Sequence, residues 1–284
     1  MKTTPDYLKG CAIGCGVVLI LVLLFGAGSF FWVRMLTNRA VDLREQLEST
    51  LPDQQSFTPS VDGTIAGDRI ESFLEVRRRL MPFCEGFGVL ADDMQSMNER
   101  VVELDASEEV AARDLFDAMS NAGRVSRKMF GIGQRLAEFS TARNAALLEL
   151  EMGLGEYTWI YVIAYYSWLE YPPERFALTE ESYPRIYRDR VSGNVRDMLE
   201  RQIAAIEGSG VNGGEMQPRL ETLRSEVAAL DQDPERVPFA AATPPALAAS
   251  LEPFRTELEA AYCAATSELD YMRTERDGLD HDHM

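Results

Sequence analysis

An uncharged apolar run between residues 11 and 33 constrains this chain more than any other feature. It reads CAIGCGVVLILVLLFGAGSFFWV. At about 1.5 Å of rise per residue, a helix of this length spans the roughly 30 Å hydrocarbon layer of a bilayer. The aromatic residues Phe30, Phe31 and Trp32 at its far end suit the membrane interface. The sequence therefore predicts a single-pass transmembrane helix over 11–33, with the lipid bilayer as its partner.

A cleaved signal peptide is the alternative interpretation, because Ala27-Gly28-Ser29 resembles a small-residue cleavage site. The apolar run continues beyond that point to Val33, which favours an uncleaved anchor. Positive charge is similar on both flanks, so it does not fix the orientation. A short basic head followed by an apolar run is the usual signal-anchor layout, and an acidic domain crosses a membrane readily. We therefore expect the head, 1–10, in the cytoplasm and the rest of the chain outside.

This orientation predicts a protein of the cytoplasmic (inner) membrane with a periplasmic domain. The preference for arginine over lysine, typical of GC-rich genomes, indicates a bacterial source.

Residues 34–50 are predicted to continue the membrane helix as a stalk, since no proline occurs before Pro52. Small and apolar residues recur here at alternating spacings of three and four, the a/d pattern of a coiled coil. These residues are Val33, Leu36, Ala40, Leu43 and Leu47. They form a candidate seam for a parallel homodimer. Docking of the same stripe on the chain's own domain is the alternative, and two heptads do not decide between them.

Beyond a polar linker at 51–66, apolar residues recur at helical spacing through 67–275, and strand alternation is essentially absent. The predicted helices cover 68–105, about 115–139, 145–152, 185–207, 216–230 and 245–275. Pro82 is expected to kink the first of them. The last residues, 276–284, are predicted to be a disordered tail. The predicted fold class is all-α, with an N-terminal transmembrane helix followed by a soluble multi-helix bundle.

The segment EYTWIYVIAYYSWLEYPP, which begins at Glu156, is unusually aromatic and too short to cross a bilayer. A helix that is apolar on all sides is typical of the centre of a bundle. One of its faces carries Tyr157, Tyr161, Tyr165 and Trp168. Buried phenol groups need hydrogen-bond partners. The nearby acceptors are Glu149, Glu151, Glu156 and Glu170. The alternatives to a core role are an aromatic-walled cavity for an apolar ligand or lipid, and a surface for another protein.

The composition argues against several function classes. A net charge of −18 repels nucleic-acid phosphates, so no nucleic-acid partner is expected. The two histidines, His281 and His283, lie at the extreme C-terminus, so the domain offers no Ser/His/Asp or Cys/His set. GSGVNG at 208–213 follows a helical segment instead of a strand and is interpreted as a linker. No catalytic residue, metal site or cofactor is predicted.

Two further expectations concern charged and sulfur-containing side chains. The basic run 77–79 is expected to be a solvated helix face that pairs with nearby glutamates. Cys84 lies on the apolar stripe of its predicted helix, whereas Cys263 lies off the stripe of the predicted helix 245–275. Because the two cysteines would then face different ways, we expect them to be unpaired; a single bridge between them, which an oxidising compartment would allow, is the alternative.

The sequence thus favours a membrane-anchored interaction or scaffold protein with an extracytoplasmic domain and no evident catalysis. Its expected partners are a second copy of itself or another membrane or envelope protein. The alternative is an extracytoplasmic apolar-ligand or lipid-binding domain that uses the aromatic helix 156–171. A carboxylate-dependent enzyme is the third hypothesis, because 46 acidic residues permit many pairs and single out none.

Overall fold

A computed structural model describes residues 38–105, 134–171, 191–209, 213–267 and 269–270. Within these ranges every regular element is a helix, so the all-α prediction is confirmed for the described part of the chain. No helix there has both the length and the apolar character needed to span a membrane. The predicted transmembrane helix 11–33 and the predicted tail 276–284 lie outside the described residues.

Eight α-helices are described, and α1 and α3 are given by their described parts. They are α1 (38–50), α2 (Gly67–Asp105), α3 (134–149), α4 (Leu154–Tyr161), α5 (Gly193–Gly208), α6 (Gly213–Gln232), α7 (Pro245–Leu251) and α8 (Arg255–Ala261). Helix α4 continues directly into a π-helix, Val162–Trp168, and single 3-10 turns occupy Glu252–Phe254 and Ala264–Thr266. Helix α2 runs through Pro82 without ending.

The aromatic helix forms the centre of the domain. All residues from 157 to 167 are buried, across the end of α4 and most of the π-helix. Side chains from α2, α3 and α5 surround it, including Phe73, Leu147 and Met198. The prediction that a helix apolar on all sides lies at the centre of the bundle is therefore confirmed.

Helix α1 packs on the rest of the domain. Ala40 and Leu47 are buried, Leu43 is half-buried, and the Asn144 side chain of α3 donates a hydrogen bond to the Ala40 carbonyl at 3.3 Å. This packing matches the alternative in which the stripe docks on the chain's own domain. Val33 and Leu36 lie outside the described residues, and the homodimer seam stays a prediction.

The polar segment 51–66 contains no helix, but it is packed on the domain. The Gln54 side chain is buried and donates to Thr158 Oγ1 at 2.9 Å, while Arg201 donates to the carbonyl groups of Gln54 and Phe57 at 2.9 Å each. Gly155 permits the close approach, because a Cβ at this position would clash with the carbonyl oxygen of Asp53. The segment is thus a strap across α4.

Two predicted helix boundaries are wrong. A single helix, α3, covers 134–149, whereas the sequence predicted one helix ending at 139 and another beginning at 145. The part of the predicted 115–139 helix that precedes residue 134 lies outside the described residues. The predicted helix 245–275 breaks into α7, a 3-10 turn and α8. Pro253 lies in that turn and lacks the amide hydrogen that a continuous α-helix requires. Beyond α8 the chain is extended at Tyr262 and Cys263.

Candidate functional site

Three of the four aromatic residues singled out in the sequence form a buried cluster. The ring centres of Tyr157 and Tyr161 are 6.2 Å apart, and those of Tyr161 and Tyr165 are 4.8 Å apart. Phe73 of α2 contacts all three rings, with centre distances between 5.2 and 6.4 Å. Trp168 is half-buried and lies under the Arg255 guanidinium, 4.1 Å from its ring centre. The structure therefore gives the three tyrosines a packing role, and their ligand-binding role stays a prediction.

A fully buried ion pair lies beside these tyrosines. Arg77 of α2 has no exposed surface, and its Nη1 atom is 2.6 Å from Asp270 Oδ2. Its Nε and Nη2 atoms donate to the Ala261 carbonyl, at 3.1 and 3.0 Å, which satisfies one of the open carbonyl groups at the end of α8. The guanidinium carbon also lies 5.2 Å from the ring centre of Tyr161, within cation–π distance.

The prediction that the run 77–79 is solvated is thus wrong for Arg77. Arg78 is exposed and lies 3.2 Å from Glu75, and Arg79 pairs with Glu149 at 2.6 Å, as expected. Consecutive helical residues point about 100° apart, so three in a row cannot all face water when the opposite face is packed. Arg77 lies four residues after Phe73 and seven before Cys84, on the inward stripe. That position was a signal in the sequence that the prediction did not use.

Asp270 also accepts a hydrogen bond from the buried phenol of Tyr157. The Tyr157 hydroxyl donates to Asp270 Oδ1 at 2.7 Å, and Thr266 Oγ1 lies 3.3 Å from Oδ2. The fully buried Arg143 of α3 donates to the carbonyl groups of Leu269 and Asp270, at 2.8 Å each. Two of the four glutamates expected as acceptors pair with arginines instead: Glu156 with Arg69 at 2.6 Å, and Glu149 with Arg79.

Burial determines the protonation of these groups. Burial raises the pKa of Tyr157 well above its usual value, and the negative charge of Asp270 adds to this effect. Burial by itself would lower the pKa of Arg77, but the facing charge of Asp270 and the neighbouring tyrosines together more than offset it, and the pKa is raised well above the usual range. For Arg143, burial lowers the pKa. A tyrosine held protonated at neutral pH is a hydrogen-bond donor and not a base, so Tyr157 stabilises the cluster.

A disulfide links the same two regions of the chain. Cys84 of α2 and Cys263 are bonded, with their Cα atoms 5.8 Å apart. The expectation that they are unpaired is wrong, because it assumed a helix through residue 263. Helix α8 ends at Ala261, so the helical stripe does not determine the direction of the Cys263 side chain. Cys84 lies seven residues after Arg77, and its partner Cys263 lies seven residues before Asp270, the partner of Arg77. The two segments therefore run antiparallel.

The cluster and the disulfide together attach Cys263, Leu269 and Asp270 to α2 and α3. Two surface cavities are lined by described residues. One, of about 360 Å³, lies between α2 and the region of α8. The other, of about 330 Å³, lies between α5, α6 and α7. In the described part of the chain, no three His, Cys, Asp or Glu side chains are grouped as they would be around a metal ion.

Comparison with known proteins assigns no family to the chain, because no protein-family model, curated protein or solved structure matches it. Function is therefore inferred from the residues and their arrangement alone.

Proposed function

We propose that this chain is a single-pass protein of the bacterial inner membrane whose helical domain lies outside the cytoplasm and acts by binding a membrane or envelope protein. The observation that carries the proposal is the Cys84–Cys263 disulfide. Structural disulfides persist in the periplasm and outside the cell and are rare in the cytosol. The same orientation is the one favoured by the basic head and the apolar run 11–33.

The short connection between anchor and domain supports a partner in or near the same membrane. Helix α1 is already packed on the domain at Ala40. From residue 33, the end of the predicted membrane helix, to residue 38 the chain spans at most roughly 18 Å even when fully extended. A domain held this close to the bilayer meets membrane proteins and envelope proteins at the membrane surface more often than it meets freely diffusing ones.

The chemistry of the buried polar groups favours binding over catalysis. Arg77, Asp270 and Tyr157 are bonded to one another and hold chain segments together. Burial raises the pKa of Tyr157 well above its usual value, so this phenol is even less available as a base at neutral pH than an exposed tyrosine. Both histidines of the chain, His281 and His283, lie outside the described residues.

Topology is tested with single cysteines in the full chain. In a background with Cys11 and Cys15 changed to Ser, Thr4→Cys and Asp280→Cys are each treated with a membrane-impermeant maleimide in cells whose outer membrane is permeabilised. We expect labelling of the Asp280→Cys variant in intact cells and of the Thr4→Cys variant only after lysis. The reverse pattern would place the domain in the cytoplasm and overturn the proposal. Release of the chain from membranes by carbonate would overturn the anchor.

Binding is tested by photo-crosslinking in cells. Val89 of α2 is 59% exposed, which is unusual for a large apolar residue, so a photoreactive amino acid there probes an available surface. The matched position is the exposed Glu200 of α5. A discrete adduct at one position supports binding, and an adduct of twice the chain's mass identifies the homodimer. Leu36→Asp together with Leu43→Asp should abolish that dimer if the predicted seam is its interface. If neither position yields an adduct, the proposed binding role loses its support.

A further inference from the structure

The cavity between α5, α6 and α7 has the size and lining of a small-molecule site. Its volume is about 330 Å³, at the lower end of the range for ligand sites. At ~30 Å³ for each water-sized group, it has room for roughly ten non-hydrogen atoms. Its lining is mostly apolar and consists of Gln202, Pro218, Arg219, Thr222, Leu223, Phe239, Pro244, Pro245, Ala246 and Leu247.

Arg219, in the wall of this cavity, forms no ion pair and no hydrogen bond among the described residues. It is half-buried, and its Nε atom is buried with no hydrogen-bond partner there. Burial lowers the pKa of Arg219, and the charge of Asp62 opposes this effect without forming an ion pair with it. Arg224, on the same helix, instead pairs with Glu207 at 2.5 Å. Because an unpaired buried donor is costly, Arg219 indicates a missing acceptor.

Gln202, contributed by α5, is an acceptor without a donor. Its side chain is only 2% exposed, and its Nε2 atom donates to the Ser60 carbonyl at 2.6 Å. This bond fixes the amide and leaves Oε1 buried with no partner in the described ranges. The same cavity is therefore lined by one unsatisfied donor, which is cationic, and one unsatisfied acceptor.

Backbone geometry fixes two parts of the cavity wall. Phe239 is buried with a φ of 55°, a conformation that is costly for a residue with a side chain, and its amide donates to Glu226 Oε1 at 2.7 Å. The Arg219 guanidinium lies against Gly63, where a Cβ would overlap it. Gly63 has a φ of 66°, which favours glycine. The glycine therefore leaves space for the guanidinium.

We propose that this cavity binds a short amphiphile that carries a carboxylate and a hydroxyl group. Its carboxylate pairs with Arg219, its hydroxyl donates to Gln202 Oε1, and its apolar body of about six carbons contacts Leu223 and Phe239. A guanidinium and a carboxylate form a charge-assisted pair, the stronger class of hydrogen bond, and the hydroxyl supplies the donor that the amide oxygen lacks. This site is separate from the tyrosine cluster and does not depend on the compartment of the domain.

Binding is tested with 3-hydroxyoctanoate and the full chain in lipid nanodiscs, by isothermal titration calorimetry against empty nanodiscs. We expect saturable binding with a dissociation constant of roughly 1 mM or lower. Arg219→Gln should weaken it at least tenfold. Arg224→Gln, which removes a neighbouring charge outside the cavity, should leave it unchanged. Thr222→Trp, at an exposed position of the lining, should block the cavity and abolish binding.

Octanoate, which lacks the hydroxyl, should bind several-fold more weakly than 3-hydroxyoctanoate, and octan-1-ol should bind equally to the wild type and to the Arg219→Gln variant. Arg219→Lys retains the charge and provides a second test if Arg219→Gln does not fold, as judged by circular dichroism; it should bind with intermediate affinity. The proposal is overturned by an absence of saturable binding in the wild type, or by wild-type affinity in either Arg219→Gln or Thr222→Trp.

Discussion

Changing Asp270 to Asn should lower the free energy of unfolding by about 3–5 kcal/mol, the range for removing one partner of a buried ion pair. Asparagine keeps the shape of the side chain, and its amide oxygen can still accept a hydrogen bond. Arg77, however, has no exposed surface and would lose the only carboxylate with which it forms an ion pair in the described residues. Its charge would stay buried without compensation, because an arginine does not deprotonate.

The change is measured by urea denaturation of the full chain in nanodiscs, followed by tryptophan fluorescence in a Trp32→Phe background. Trp159 is only 3% exposed and reports loss of the core. Linear extrapolation gives the free energy, and an unchanged slope shows that the same surface unfolds. The matched control is Glu149→Gln, since Glu149 and Arg79 are also 2.6 Å apart but face solvent. Solvent screens such a pair, so the control should have a much smaller effect.

A double variant separates charge from packing. Arg77→Met combined with Asp270→Leu removes both charges and retains apolar volume, so we expect it to recover much of the stability that Asp270→Asn loses. The reasoning from burial is refuted if Asp270→Asn is no more destabilising than Glu149→Gln. It is also refuted if the double variant is less stable than Asp270→Asn.

Cys84→Ser should lower the free energy of unfolding by about 5 kcal/mol, because the disulfide closes a loop between residues 179 positions apart and so restricts the unfolded chain. The same change should remove the difference in electrophoretic mobility between reduced and non-reduced samples. Raising the pH above about 10 should destabilise the domain. Burial raises the pKa of Tyr157 well above its usual value and that of Tyr165 to about 12, so these tyrosines ionise at a lower pH in the unfolded chain than in the folded one. The free energy of unfolding therefore falls as the pH rises from the unfolded-state pKa toward the folded-state pKa. Urea midpoints from pH 8 to 11 check this sign, and Tyr157→Phe should flatten the decline. Gly155→Ala should cost about 1–3 kcal/mol from overlap with the strap, whereas Gly208→Ala, which meets open space, should be neutral or slightly stabilising; thermal unfolding by circular dichroism compares the two.

The helical fold and its central element could be predicted from the sequence because both depend on local spacing. Phe73, Leu80 and Phe87 recur at helical intervals and are buried on the inward face of α2. The segment from Glu156 is apolar on all sides, so a helix at the surface would expose apolar area however it is rotated about its axis. Such patterns extend over only a few helical turns, and they do not depend on which distant segment provides the opposing surface.

The partners of the polar groups were decided by the tertiary structure. Arg77 and Asp270 lie 193 residues apart, and nothing local distinguishes Asp270 from the other acidic residues. Cys263 reaches Cys84 because α8 ends at Ala261, where the buried Arg77 binds the last carbonyl group. In the same way, Arg219 and Gln202 line one cavity only because α5 and α6 pack together. Helical periodicity determines which face of a segment is buried, whereas the choice of a partner for a charge or a thiol depends on how the buried faces meet in space.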